Sequence, residues 1–453
     1  EENRVVLFTG GSWRPLTWSR GYYVENVFEG LDTPGTWYLD RSKGVLYYHP
    51  LPDEDLGKAE VVAPVAQQLV RFEGDVKAGR FVRSVTLRGL TFAHTRSLLP
   101  KEGHAWPQGE LPPPAALHAD GAHHCRIEGC QFTHLGAWGI ELRRGCRDNA
   151  VVRNTMQDVG AGCVKIGEPK DCEEDAEETR RTVISDNRFL DGGQVYLGAP
   201  CVWIGQSSGN TVSHNEVSGA FQWAVSVGWT WAYFPLQRAR DNLVEFNHIH
   251  HIGTGALGSH ASIYALGTSP GTVIRNNHVH HCPGHGICLD NGCCGILVEN
   301  NLVHDTLRGG YCSNFNCYGN TILNNVFAYG GKDYQLTVFG DLPHIKQPPK
   351  GELFARNIVL WKEGPLIQRD WKRFDTLWDY NLYYREGGEP VTFMPGKKLT
   401  LEQWQAKGLG RHSLIADPLF ADPRNGDFSL RPGSPAIKLG FKPIDISTVG
   451  PRK

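Results

Sequence analysis

Methionine is almost missing from this chain, at 2 in 453 residues, and no apolar 3.6-residue period takes its place. With 53 glycines beside it, that scarcity marks a turn-rich, helix-poor sequence and argues against any all-helical array. No apolar run approaches the roughly 20 residues a membrane helix needs, so no membrane partner is expected. Charge of one sign is missing as well. The 46 basic and 48 acidic residues nearly cancel and leave no electrostatic footprint for nucleic acid. None of the 12 cysteines forms a CxxC pair, so paired zinc ligands are lacking. Burial as small hydrophobes is expected of them first, disulfides second. There is no Walker loop and no G-x-S-x-G elbow. The run GTGALG from Gly253 to Gly258 matches a dinucleotide pattern but lacks the helix that must follow it. No cofactor and no metal are expected.

What is present is repetition. ISDNRFLDGG, VSHNEVSGAF, VEFNHIHHIG, IRNNHVHHCPG, VENNLVHDT and LNNVFAYGG place Asn187, Asn215, Asn247, Asn277, Asn301 and Asn325 at matching positions. Their spacing of about 24 to 32 residues is one supersecondary unit per repeat, the mark of a solenoid. Within each unit the alternation is short and β-like: Val273, Arg275 and Asn277 cannot share a face with Ile274 and His278. Short strands divided by Gly and Asn turns predict an all-β chain folded as a right-handed parallel β-helix. Asn suits the turn because it tolerates left-handed backbone and its amide can bond the same position one coil away. Histidines 248, 250, 251, 278, 280, 281 and 304 recur at the same period and read as turn and ladder residues.

Three parts follow. Residues 1–60 hold two aromatic-rich strands, Trp37–Leu39 and Val45–Tyr48, around a turn ending in Gly44, which predicts a hairpin. Residues 61–385 are the coils, interrupted by a Pro-rich insertion from His94 to Ala115 and a charged one from Glu168 to Arg181. Solenoid insertions gather on one face, often the binding face, so these two are candidate groove walls. Residues 386–453 carry Pro and turn residues without the repeat, and predict a capping tail packed on the solenoid.

The segments VWIGQSSGNTVSHNEVSG, VSVGWTWAY, SIYALGTSPGTVIRNN and GICLDNGCCGILVENNLVHDT, with YYVENVFEGLDTPGTWYLD and ADPLFADPRNGDFSLRPGSPAIKLGF toward the two ends, resemble the β-helical glycoside hydrolases of family 141. The resemblance covers most of the chain. It implies a carbohydrate-active enzyme, a glycoside hydrolase acting on plant or algal polysaccharide or oligosaccharide of fucoside or xylan type. The chain begins at Glu1 with neither Met nor signal peptide and is read as a processed or excerpted product, with a secreted or periplasmic address expected.

Glycosidic cleavage needs a general acid and a base or nucleophile, usually two carboxylates. Asp290 is the first candidate. Ile287 and Leu289 should point inward, leaving Cys288 and Asp290 outward, although an Asx-turn into Asn291 and Gly292 competes with a catalytic role. The resemblance raises Asp290, because the family carries an aspartate in the motif matching this LDNG. It also expects a second aspartate in a motif that falls here on Gly258 to Tyr264, where Ser259 occupies the place. A His-x-His pattern one coil later is replaced by Cys312, Ser313 and Asn314. Glu168, at the mouth of the charged insertion, is the expected partner acid, with His260 as substitute. Lys165, Trp203, Gln206, Trp229 and Tyr264 are expected to meet Asp290 on one outer face as substrate-binding residues, with Trp231 beside Trp229 and with Asn314; core packing is the alternative for the tryptophans. A polysaccharide lyase using Lys165 as base is the other enzyme class. No acidic cluster for its usual calcium is evident. A sugar-binding protein without turnover is the third reading.

Overall fold

The computed structural model describes residues 24–99, 103, 104, 106, 108–231, 237–253, 257, 261–338, 351–368, 376–394 and 396–453. Ser259, His260 and most of Gly253–Gly258 lie outside the described residues. In the rest, each repeat becomes one coil of three short strands. Ala261–Leu266, Val273–Arg275 and His278–Cys282 form one such coil, and His285–Asp290, Leu297–Glu299 and Leu302–Thr306 form the next. Equivalent strands of successive coils pair in parallel and in register, Ile263 on Ile287, Ile274 on Val298 and Val279 on Val303. Stacking produces three parallel sheets of ten, eleven and twelve strands. This is a parallel β-helix.

Alternation explains the interior. Ile263, Ile274, Val279, Ile287, Val298 and Val303 are all fully buried in one continuous apolar core that runs along the coils. Each contributes about 1.5–3 kcal/mol through burial. None of the 12 cysteines forms a disulfide, and all but Cys172 are buried.

Corners are fixed by asparagine. The Asn277 side chain accepts from the Asn247 backbone N–H at 3.0 Å and from its amide at 3.0 Å, and donates to the Val244 carbonyl at 3.0 Å and to Asn301 Oδ1 at 3.0 Å. The same bonds recur from Asn154 to Asn381. The left-handed residue at this corner is the one before: Asp186, His214, Phe246, Asn276, Asn300 and Asn324 have φ between 54° and 59°. Left-handed backbone and ladder bonding thus fall on adjacent residues.

The last coils are closed by the helix Leu401–Gln405, whose Thr400 and Gln403 make a capping box and whose Trp404 packs on Phe393 and Trp378. Beyond it, the hairpin of Phe420–Asp422 and Asp427–Leu430 and the turn of helix Pro435–Lys438 lie on the outer face of the twelve-stranded sheet. Phe420, Ala436, Leu439 and Phe441 there cover Leu302, Val326, Ile358 and Leu382. Residues 24–64 belong to a separate compact unit, in which Trp37–Asp40 pairs antiparallel with Val45–Tyr48 and Phe28 packs edge-on against Tyr38 and Tyr47. No helix among the described residues is long and apolar enough to cross a membrane.

Candidate functional site

The outer face of the ten-stranded sheet carries the chemistry. Ile140 and Leu142 point into the core, so Glu141 points out, and the register sets His118 one coil before it and Lys165 and Trp203 on the next two. Beyond Trp203 the same column continues through Ser226 and Tyr264 to Cys288. A groove of about 550 Å³ opens over its first half, lined by Trp106, Leu111, Pro112, His118, Glu141, Arg143, Lys165, Glu168 and Trp203. Both insertions contribute walls to it.

Charges in the groove are arranged as a chain. Glu141 is 4 % exposed and bonds His118 Nδ1 at 2.6 Å and Lys165 Nζ at 2.8 Å. The other His118 nitrogen reaches Asp120 at 3.1 Å. Bonds to Asp120 and Glu141 raise His118 to about 9 despite burial. Burial opposes ionisation of Glu141, but the His118 bond and the Lys165 charge outweigh it and hold the carboxyl at about 2. Glu168 grips Arg143 through two bonds of 2.8 and 3.0 Å. Burial lowers Lys165, whose ammonium is taken up by Glu141, by the Leu111 carbonyl at 2.8 Å and by that of Pro113 at 3.4 Å, over the Trp138 ring.

Lys165 therefore straps the Pro-rich insertion to the sheet, and its three donors are already occupied. Trp203 and Trp229 are also covered. They sit on the outer side of the solenoid wall yet are buried, because the insertion lies over them: a Cβ on Gly109, at φ +76°, would come 2.8 Å from the Trp229 ring. The two rings meet edge to face at 5.6 Å, which is core packing. On this face Trp231, edge-on to Trp229 at 5.1 Å, and Trp106 are exposed.

Asp290 stands at the far end of the same face. Tyr264 donates its hydroxyl to Asp290 at 2.7 Å, and the amides of Asn314 and Asn291 donate at 2.6 and 3.0 Å. Burial pushes its carboxyl pKa up, only partly offset by the Tyr264 and Asn314 bonds. The Tyr264 ring stacks on Trp223 at 4.3 Å, which joins Asp290 to the tryptophan bed. Gln206 lies between the two ends, bonded to Thr230 at 3.1 Å.

The structure does not bring Glu168 to Asp290. Glu168 follows Ile166 and Gly167, Asp290 follows Leu289, and Ile166 and Leu289 are four coils apart in register. At about 4.8 Å per coil the two are roughly 19 Å apart along the sheet. Two carboxyl groups serving one glycosidic bond stand within about 10 Å. His118, Glu141 and Arg143 were missed from sequence, although alternation in ALHAD and GIELR already turns them outward.

The His118–Glu141 bond has a pH signature. A raised imidazole adds stability that is complete below its unfolded value of 6.5 and disappears as pH rises through about 9. The depressed Glu141 adds stability complete above 4.5 and lost as pH falls through about 2. Thermal midpoints measured by calorimetry should be highest between these limits and decline toward pH 9, and His118→Gln should flatten the alkaline decline. An unchanged alkaline slope in that variant refutes the pairing.

Comparison with known proteins supports the architecture. A family model described as a right-handed beta helix region matches residues 234–337. A solved structure described as a glycoside hydrolase is 22% identical with a TM-score of 0.56, over 71% of this chain and 58% of that one. XylC in complex with xylose is 13% identical at a TM-score of 0.37, over 67% of this chain and 55% of that one. The GH136 lacto-N-biosidase from Eubacterium ramulus is 10% identical at 0.40, over 56% and 48%. The chain thus spans about half the length of these proteins, from 48% to 58%. No curated protein matches the sequence. Register, three stacked sheets, the family model and the likeness to the first of these structures agree that the chain is a right-handed parallel β-helix protein.

Proposed function

We propose that the protein is a carbohydrate-active enzyme, a glycoside hydrolase acting on a polysaccharide or oligosaccharide of fucoside or xylan type, with Asp290 as its general acid. The observation that carries this reading is the state of Asp290: a buried carboxyl on an outer face, raised by burial toward the protonated form a proton donor needs. The family resemblance of the surrounding LDNG points to the same residue. A secreted or periplasmic address suits such a substrate.

Glu168 and its groove then bind sugar at a distance from the cleaved bond. A polysaccharide laid along the solenoid axis meets one coil about every 4.8 Å, and Trp106 and Glu168 would hold units several coils from Asp290. Trp106→Ala is expected to raise KM about tenfold, in keeping with the loss of one aromatic contact, and to leave kcat within about twofold. A fall in kcat with unchanged KM for Trp106→Ala or Glu168→Gln would overturn this division of roles.

Absence of a second carboxylate against Asp290 among the described residues favours one other reading, a sugar-binding protein without turnover. Reducing-end release from fucosides, xylan and pectic oligosaccharides separates them: release supports hydrolysis, and binding without release supports the alternative. Ultraviolet-absorbing unsaturated products would mean a lyase instead, against which Lys165 already has its donors engaged.

A further inference from the structure

The twelve-stranded sheet carries a second cluster, on a different face from the carbohydrate groove. Its outward positions form two adjacent columns, His248 over His278 in one and His250, His280 and His304 in the other. The coil brings together rings that lie 24 to 56 residues apart in the chain. Neighbouring rings stack at about 5 Å, His248 on His278 at 5.2 Å and His280 on His304 at 5.1 Å. Nε2 of His248 approaches Nε2 of His280 to 2.9 Å, and Nε2 of His278 approaches that of His304 to 2.9 Å. One ring nitrogen from each of His248, His278 and His280 lies within 4.8 Å of the other two.

We propose that this bank binds one first-row divalent transition metal ion, zinc or a close substitute, through His248, His278 and His280. Ligands 2.0–2.1 Å from a tetrahedral zinc ion stand about 3.4 Å from one another, so small ring movements close the observed triangle. Imidazole is the ligand type that these metals share. Outer partners that orient ligating histidines are already in place: His280 Nδ1 meets His281 Nδ1 at 2.7 Å, leaving Nε2 for the ion, and His304, which abuts His278, is turned by Asp305 at 2.6 Å. The four rings of His248, His250, His278 and His280 are half-buried with His251 and His281 exposed at the rim, which provides an approach from solvent.

The site has a mechanical consequence. Phe428 of the C-terminal hairpin lies against His304 at 4.9 Å, and Gly450, whose N–H bonds the Phe246 carbonyl at 2.8 Å, passes His248. An ion held here ties two coils together beside the tail that covers them. Cysteine spacing gave no metal from sequence because these ligands are histidines assembled by register.

The test uses the full chain without an affinity tag, stripped with chelator and titrated with Zn²⁺ alone. Saturable binding of one ion per chain and a higher thermal midpoint with Zn²⁺ are expected. His278→Gln with His280→Gln should weaken affinity at least about 100-fold, beyond what loss of an outer partner gives, and abolish the midpoint shift while matching the metal-free parent in circular dichroism. Non-saturable uptake, or uptake unchanged in the double variant, overturns the site. Should that variant fail to fold, Co²⁺ in the parent decides. Intense visible bands of a four-coordinate ion support the proposal, and the weak spectrum of the hydrated ion refutes it.

Discussion

Asp290→Asn is expected to lower kcat on a cleaved oligosaccharide by about 10²–10⁴-fold, the range that a positioned general acid supplies. Shape is conserved by the change, and the Tyr264 hydroxyl, which both donates and accepts, can turn to accept from the new amide. Stability should move the other way. Because burial raises the Asp290 pKa, ionising it costs the folded state, and its contribution is lost as pH rises through the folded value. The asparagine variant should therefore melt at or above the parent temperature at neutral and mildly alkaline pH, a site in which activity is held at the expense of stability. For the same reason the parent kcat should fall on the alkaline side, as the proton is lost. Full activity in the variant removes Asp290 from the mechanism. Low activity together with a clearly lower melting temperature would instead make it a structural residue.

Asn277→Ala should destabilise the protein by about 2–4 kcal/mol, since it leaves the Asn247 N–H buried without its partner at about 1–3 kcal/mol and removes the amide bond to the Val244 carbonyl at about 1 kcal/mol. It also removes the acceptor and donor that link Asn247 to Asn301. A solenoid coil touches only its neighbours, so the damage should be local. Hydrogen exchange should rise in the strands from Leu243 to Leu302 and remain near parent values in the strands before Asp191. The neighbouring change Asn276→Gly should be nearly neutral, within about 1 kcal/mol, because glycine accepts the φ of 54° found there without strain. Equal effects from the two substitutions would contradict the separation of ladder bonding from left-handed backbone.

That separation shows where reading the chain stops. Repetition of Asn at about 24 to 32 residues is a periodic signal, and period is what a sequence displays directly. It discloses the coil, the strands and the ladder. It does not disclose which of two adjacent corner residues takes the positive φ, since Asp186, His214 and Phe246 share no chemistry.

Alternation likewise settles which side of a strand Glu141, Lys165 or Asp290 faces, because side chains change sides at every residue whatever surrounds them. How far apart two outward residues stand is a different matter. It depends on how many coils intervene, and insertions at the corners hide that count, so Glu168 and Asp290 read as partners while the sheet sets them four coils apart. Covering is decided later still. Trp203 and Trp229 face outward by pattern yet are roofed by residues 108–114, which Lys165 ties down through backbone carbonyls that carry no sequence mark. The histidine bank has the same origin: each imidazole is ordinary on its own strand, and only the winding of the coil places His248, His278 and His280 within reach of one ion. Periodicity is local and survives in the sequence; register across insertions and the packing of loops over a face are global, and exist only once the chain is folded.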